Sequence, residues 1–313
     1  MNTSSDSIDY SVVIPMSISL ALIGISLACM IIVLVIFTKH LHTVNYLLIC
    51  NTCFWSTFYC VVQCNNYVFL DFIIWDTSDM SCRWRGYFGY IAIAAVVYSY
   101  LIQAISRYFF VVLSTKHRWV TSLKAHLILI VSQWITVILL PLPAIVTKDI
   151  YYTSNTLCWV KKKFGVHVAY TFLAYYFLPT LCIVILYIYL FRQAKRSTNI
   201  TLTRPIETSR RQNRDLDILR NIMILFSIYI FGGFPTLVYL VFGNYIFYCV
   251  GLVFITLGVT VEKAATIFLD RELRKTIKHI FRCSGTRVTP LELNITATVV
   301  VGRTVKPMTQ FAK

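Results

Sequence analysis

The sequence predicts an all-α membrane protein: a seven-transmembrane helix bundle followed by a short amphipathic eighth helix. Three observations lead there. Hydrophobic residues make up 58% of the 313, and charged residues only 13%, about half the share usual in soluble domains. The apolar residues gather into seven runs, each long enough to cross a hydrocarbon layer of about 30 Å as a helix. Lysine and arginine collect in alternate connections between those runs, the asymmetry that membrane insertion imposes.

Residues 1–11 are polar and acidic and are expected to form an extracellular N-terminus. They lack the basic start and short apolar core of a cleavable signal peptide. Asn2-Thr3-Ser4 is a glycosylation triplet if this end is outside, unless it lies too near the terminus to be used. The transmembrane domain is expected over 12–269. Span one, 12–37, stops at Lys39, His40 and His42. Span two, 43–67, starts at Thr43-Val44-Asn45, and a wet loop with Asp71, Asp76 and Asp79 follows. Span three opens at Cys82 and carries Arg107, about 37 Å along a helix that rises ~1.5 Å per residue. Its cysteine therefore lies outside and its arginine inside.

Span four, 124–147, has Trp134 at its middle and Pro141 and Pro143 near its outer end. An outer loop, 148–165, holds Cys158 and the run Lys161-Lys162-Lys163. Span five, 166–192, contains Pro179 and Tyr187. The longest polar connection, Arg192 to Asp215, leads to span six, 216–241, with the sequence FGGFP ending at Pro235. A turn at Gly243 and Asn244 precedes span seven, 245–269. Residues 270–283 place Leu273, Ile277, Ile280 and Phe281 among basic residues at the spacing of an amphipathic interfacial helix. Cys283 at its end is a site for a palmitoyl chain, or a free thiol. Residues 284–313 read as a cytoplasmic tail.

About 21 of the 29 basic residues fall on one side and about 6 on the other, which puts the N-terminus outside. The net charge of +16 sits in connecting segments rather than on a face with interleaved aromatics, so no nucleic-acid partner is expected. Cys50 and Cys53 form a C-x-x-C with no second pair, and read as helix packing rather than a metal site. No internal repeat is visible, and the deep charges, Arg107, Glu262 and Lys263, lie toward one end; both points argue against a transporter. The histidines and aspartates do not cluster as a hydrolase would need. No cofactor and no enzyme activity are expected.

Cys82 and Cys158 are the two cysteines on the oxidising side, and a bridge between them would pin the second outer loop over the bundle mouth. Arg107 is costly within a membrane unless paired or hydrated. Asp215, about 30 Å below Pro235 along span six, reaches the same inner edge, and Asp217 is the alternative partner. A contact there would tie spans three and six. Breaking it would let span six swing on its proline kink.

Arg107-Tyr108 placed 25 residues after Cys82, with Trp134, Cys158, Pro179, Tyr187, Asp215 and Pro235, together resemble the rhodopsin-type (class A) G protein-coupled receptors over roughly 12–283. The resemblance implies a plasma-membrane receptor whose partners are an extracellular ligand, a heterotrimeric G protein and membrane lipid. It implies that Arg107, with Tyr108 beside it, faces the G protein, that Tyr187 partners Arg107 in the active state, and that Cys82–Cys158 is the family disulfide. Pro235 and Pro179 are then hinges. The departures are specific. Ser106 stands where the family has an acid, and Trp55 or Ser56 stands at the level of the span-two aspartate. Gly233 replaces the span-six tryptophan, and Glu262-Lys263-Ala264-Ala265-Thr266 replaces Asn-Pro-x-x-Tyr. Glu262 and Lys263 are expected to snorkel to the inner interface and pair there; the alternative is an internal polar network.

For the ligand, the resemblance points to Gly89, Tyr90, Tyr175, Tyr176 and Phe234. Gly89 stands at the aspartate of amine receptors, and Lys263 lies too near the cytosol for a retinal lysine. Aromatics beneath a charged rim suit a peptide, although interfacial anchoring uses the same residues. The eroded motifs also fit a decoy receptor that binds without coupling.

Overall fold

Helix boundaries follow the caps and breakers of the sequence in the computed structural model, which describes residues 10–73, 78–114, 117–152, 157–160, 163–199 and 206–285. Helix α1 spans Val13–Phe37 and α2 Val44–Asp71. Helix α3, Asp79–Tyr108, runs on through one wider turn at Phe109–Leu113. Ser122 accepts the Ala125 N–H at the start of α4, Leu123–Leu139, the capping role that serine suits. Pro141 cannot supply the next helical N–H, so the helix breaks and restarts as α5, Leu142–Val146.

Span five is interrupted too. It comprises α6, Gly165–Thr171, a wide turn over Phe172–Phe177, and α7, Leu178–Asn199. Pro179 sits just after the wide turn, where its missing N–H leaves a carbonyl of the preceding turn without its helical donor. Helix α8 runs from Ile206 to Phe242 with Pro235 inside it, starting ten residues before the expected span. Gly243, at φ 74°, supplies the left-handed turn that a Cβ would strain. Asn244 then caps α9, Tyr245–Leu269, by accepting the Ile246 N–H. Asp270 caps α10, Arg271–Gly285, accepting from the N–H groups of Glu272 and Leu273.

Seven of these segments are long and apolar enough to cross a membrane. Helix α3 is the axis: it is buried along most of its length, whereas α4 shows most of its surface to the outside. The main core joins α3 to the inward faces of α2, α7, α8 and α9. Small residues bring α8 and α9 together. A Cβ on Gly232 would lie 2.9 Å from the Phe254 carbonyl oxygen and 3.1 Å from Cα of Gly258, and one on Gly251 would lie 2.6 Å from Thr236 Oγ1. Such close backbone approach needs glycine, as is common between membrane helices. The outer loop contributes an isolated antiparallel bridge between Ile150 and Val160.

Candidate functional site

Two constellations occupy opposite ends of α3. At its inner end Arg107 is only 5% exposed, and its guanidinium donates a hydrogen bond to Asn45 Oδ1 in the first turn of α2. Tyr187 of α7 is buried within electrostatic reach of Arg107, and its hydroxyl finds no hydrogen-bond partner among the described residues. The Tyr108 ring packs 5.8 Å from that of Tyr189. Ser106, one residue earlier, hydrogen-bonds His126 Nε2 on α4 at 2.9 Å, while His126 Nδ1 meets the Ser122 carbonyl at 2.9 Å. A carbonyl only accepts, so Nδ1 carries a proton, and in the neutral ring Nε2 accepts from the Ser106 hydroxyl. The serine that replaces the usual acid is thus anchored to α4. The backbone of Asp215 lies on α8, but its side chain and that of Asp217 fall outside the described residues, as does the Cys283 side chain on α10.

At the outer end Cys82 and Cys158 are joined in a disulfide, with Cα atoms 5.4 Å apart. The bridge draws the segment Leu157–Val160 down against the helices. Gly86 makes this possible, because a Cβ there would lie 2.4 Å from the Cys158 carbonyl oxygen. The Val160 N–H donates to the Tyr90 hydroxyl at 2.9 Å, and the Leu157 N–H donates to the Tyr248 hydroxyl at 3.1 Å. The loop therefore reaches both α3 and α9. Tyr10, just before α1, packs with Leu157, Tyr248 and Leu252, and this burial pushes its phenol well above the ordinary range.

A family profile described as "7 transmembrane receptor (rhodopsin family)" matches residues 28–279. The chain belongs to that family. Among solved structures, the crystal structure of squid rhodopsin superposes with a TM-score of 0.72 at 17% identity, covering 90% of this chain and 88% of that one. At that identity the likeness speaks for the fold. No curated protein matches the sequence.

The receptor fills the places of its missing family residues in its own way. Where the span-six tryptophan is absent, a Cβ on Gly233 would lie 3.3 Å from the Tyr176 hydroxyl, so a tyrosine from span five takes up the room. Glu262 and Lys263 do not snorkel. They are 2% and 1% exposed, and Lys263 Nζ lies 2.7 Å from Glu262 Oε2. The reason is register: Tyr248, Leu252, Ile255, Val259, Glu262 and Thr266 recur at helical spacing on the buried face of α9. Lys263 adjoins that stripe on a helix packed against α1, α2 and α8. Tyr100 of α3 and Tyr229 of α8 are within electrostatic reach of the carboxylate, and Cys53 and Cys60 of α2 are within reach of the ammonium.

Of the residues expected to bind ligand, Tyr90 and Tyr175 are buried with their rings 5.7 Å apart, and Gly89 is buried on α3 just before Tyr90. Phe234 departs from the expectation. It is 60% exposed, because at this point of α8 the glycine side of the helix faces α9 and turns the phenylalanine outward. Asn45, His126 and Tyr248 were not signalled as functional by the sequence. Trp159 had one signal, its place next to a stapled cysteine.

Proposed function

We propose that this receptor sits in the plasma membrane with its N-terminus outside and transmits the binding of an extracellular peptide to a heterotrimeric G protein. Burial of Arg107 at the inner end of the central helix carries this reading, since a guanidinium kept from water is poised to exchange partners when helices move. In the resting state Arg107 is held at the inner floor by Asn45 and, through α8, by Asp215. Ligand binding swings the inner half of α8 about Pro235, and Pro179 gives span five matching freedom. Tyr187 then becomes the partner of Arg107, and Tyr108 borders the surface that receives the G protein. A palmitoyl chain on Cys283 anchors α10 to lipid.

Support for a peptide comes from the mouth. Lys163 stacks 4.9 Å over Tyr151 and 4.8 Å over Phe164, and Lys148 adds a second cation on the outer loop. Cations on aromatic supports complement acidic groups of an incoming chain.

A peptide library read through a panel of G-protein reporters tests the ligand and the coupling. Asp215→Asn tests the gate: basal signalling rises several-fold at matched surface expression. Unchanged signalling removes Asp215 from the gate. Silence across every reporter, with normal surface expression, assigns instead a receptor that binds without coupling.

A further inference from the structure

At the outer end of the bundle the segment Leu157–Val160 lies against α3 and α9, and it carries the indole of Trp159. Four constraints fix that residue. Its neighbour Cys158 is bridged to Cys82, Val160 and Leu157 are hydrogen-bonded to Tyr90 and Tyr248, and its own N–H closes a tight turn onto the Leu157 carbonyl at 3.0 Å. So held, the indole meets the Tyr90 ring edge to face, with centroids 5.0 Å apart and planes at 84°, a favoured aromatic geometry. Its Cη2 lies 3.9 Å from where a Cβ on Gly89 would stand, and Asn66 Nδ2 lies 3.8 Å from the same point. Position 89 therefore leaves the room into which the indole extends, and a branched side chain there would compete for it.

Two features distinguish this recess from ordinary loop packing. First, Trp159 is only partly buried, and it belongs to the margins of two clusters rather than to the interior of either. Second, α2 holds a buried hydrogen-bond acceptor without a partner among the described residues, one turn from Asn66. Gln63, one turn below Asn66 on the same buried face of α2, is 2% exposed, and its Oε1 has no partner among the described residues. A buried amide oxygen without a donor is unfavourable by about 1–3 kcal/mol. Gln63, Asn66, Gly89, Tyr90 and Tyr175 are all uncharged.

We propose that this recess is a binding site for a planar, uncharged aromatic group bearing a hydrogen-bond donor, and that the Trp159 indole is its resident occupant, displaced when a ligand carrying such a group arrives. The inference deepens the receptor reading by naming the part of the ligand that enters the bundle. It does not need the receptor to couple.

Chemical rescue tests it in the full-length chain in lipid nanodiscs. Trp159→Gly empties the recess while leaving the disulfide and both loop hydrogen bonds in place. Added indole at millimolar concentration raises the unfolding midpoint of this variant by about 2–4 °C, leaves the wild type unmoved, and loses its effect in Trp159→Gly/Gly89→Val. An equal response in the wild type, or none in the variant, overturns the proposal. Should Trp159→Gly fail to reach the cell surface, growth with indole restores its surface yield, and absence of recovery counts against the site equally. Comparing indole with N-acetyltryptophanamide separates the sources. Stronger rescue by the amide assigns the group to a peptide side chain, and stronger rescue by indole assigns it to a free small molecule. Because the readout is unfolding, a receptor silent in every G-protein assay still gives a clear result.

Discussion

Lys263 and Arg107 are both buried cations of this bundle, yet a partner of the first lies on its own helix and a partner of the second on another. Lys263 is paired with Glu262, a full negative charge on the same helix. Arg107 donates to Asn45, a neutral amide on a different helix. A pair within one helix travels with that helix, and no rearrangement of the bundle need break it. A bond from α3 to α2 changes length whenever those helices shift. The first arrangement suits a permanent element and the second a switch. The contrast also explains how the family segment at the inner end of span seven can be lost. An internal ion pair puts charge within electrostatic reach of α2, α3 and α8 from the same place.

The largest effect expected from this comparison is on stability. Lys263→Met leaves the Glu262 carboxylate buried without its cation, a loss of about 3–5 kcal/mol. Surface expression should collapse. The double variant Glu262→Gln/Lys263→Met removes both charges and should recover most of the folded yield, since a buried pair exchanged for neutral groups is often close to neutral overall. Thermal unfolding of the three chains in detergent decides the matter. A single variant as stable as the double would mean that the pair is hydrated and that the two cations do not differ as described.

The second effect is on signalling. Asn45→Ala removes an acceptor of Arg107 without disturbing the aliphatic packing of α2. A hydrogen bond to a charged group contributes about 1.5–3 kcal/mol, enough to shift a two-state balance by tenfold or more. Basal G-protein output should rise several-fold, and the unfolding midpoint should fall by several degrees. If stability falls and output does not change, Arg107 is held as rigidly as Lys263 and the distinction fails.

Much of this was legible in the sequence, for reasons tied to particular residues. Spans are read from runs of apolar residues, and the termini of α1 and α9 fall within a residue of expectation because Val13 and Tyr245 border abrupt changes in polarity. The disulfide was legible because only Cys82 and Cys158 stand on the outer side. Side-chain direction was harder to read. Glu262 and Lys263 look like residues that would reach for water, and only the packing of α9 against three neighbours keeps them inside. Phe234 lies beside Gly233 in sequence, yet the demand for close approach between Gly232 and Gly258 turns it outward. Asn45 and His126 are ordinary polar residues near helix ends. Their partners, Arg107 and Ser106, are 62 and 20 residues away, and no local pattern announces such contacts.

The smallest effect sharpens the comparison at its weakest point, the serine beside Arg107. His126→Phe keeps an aromatic ring stacked on Phe110, now 5.4 Å away, but removes the bonds to Ser106 and Ser122. Ser106 is then a buried hydroxyl without its partner, unfavourable by about 1–3 kcal/mol. Adding Ser106→Ala should relieve most of that, so the double variant unfolds later than His126→Phe alone. Basal signalling should move less than in Asn45→Ala, because the Ser106–His126 bond ties α3 to α4 and does not touch the guanidinium. A rise in basal output matching that of Asn45→Ala would show that the orientation of α3, rather than the acceptor on α2, is what restrains Arg107.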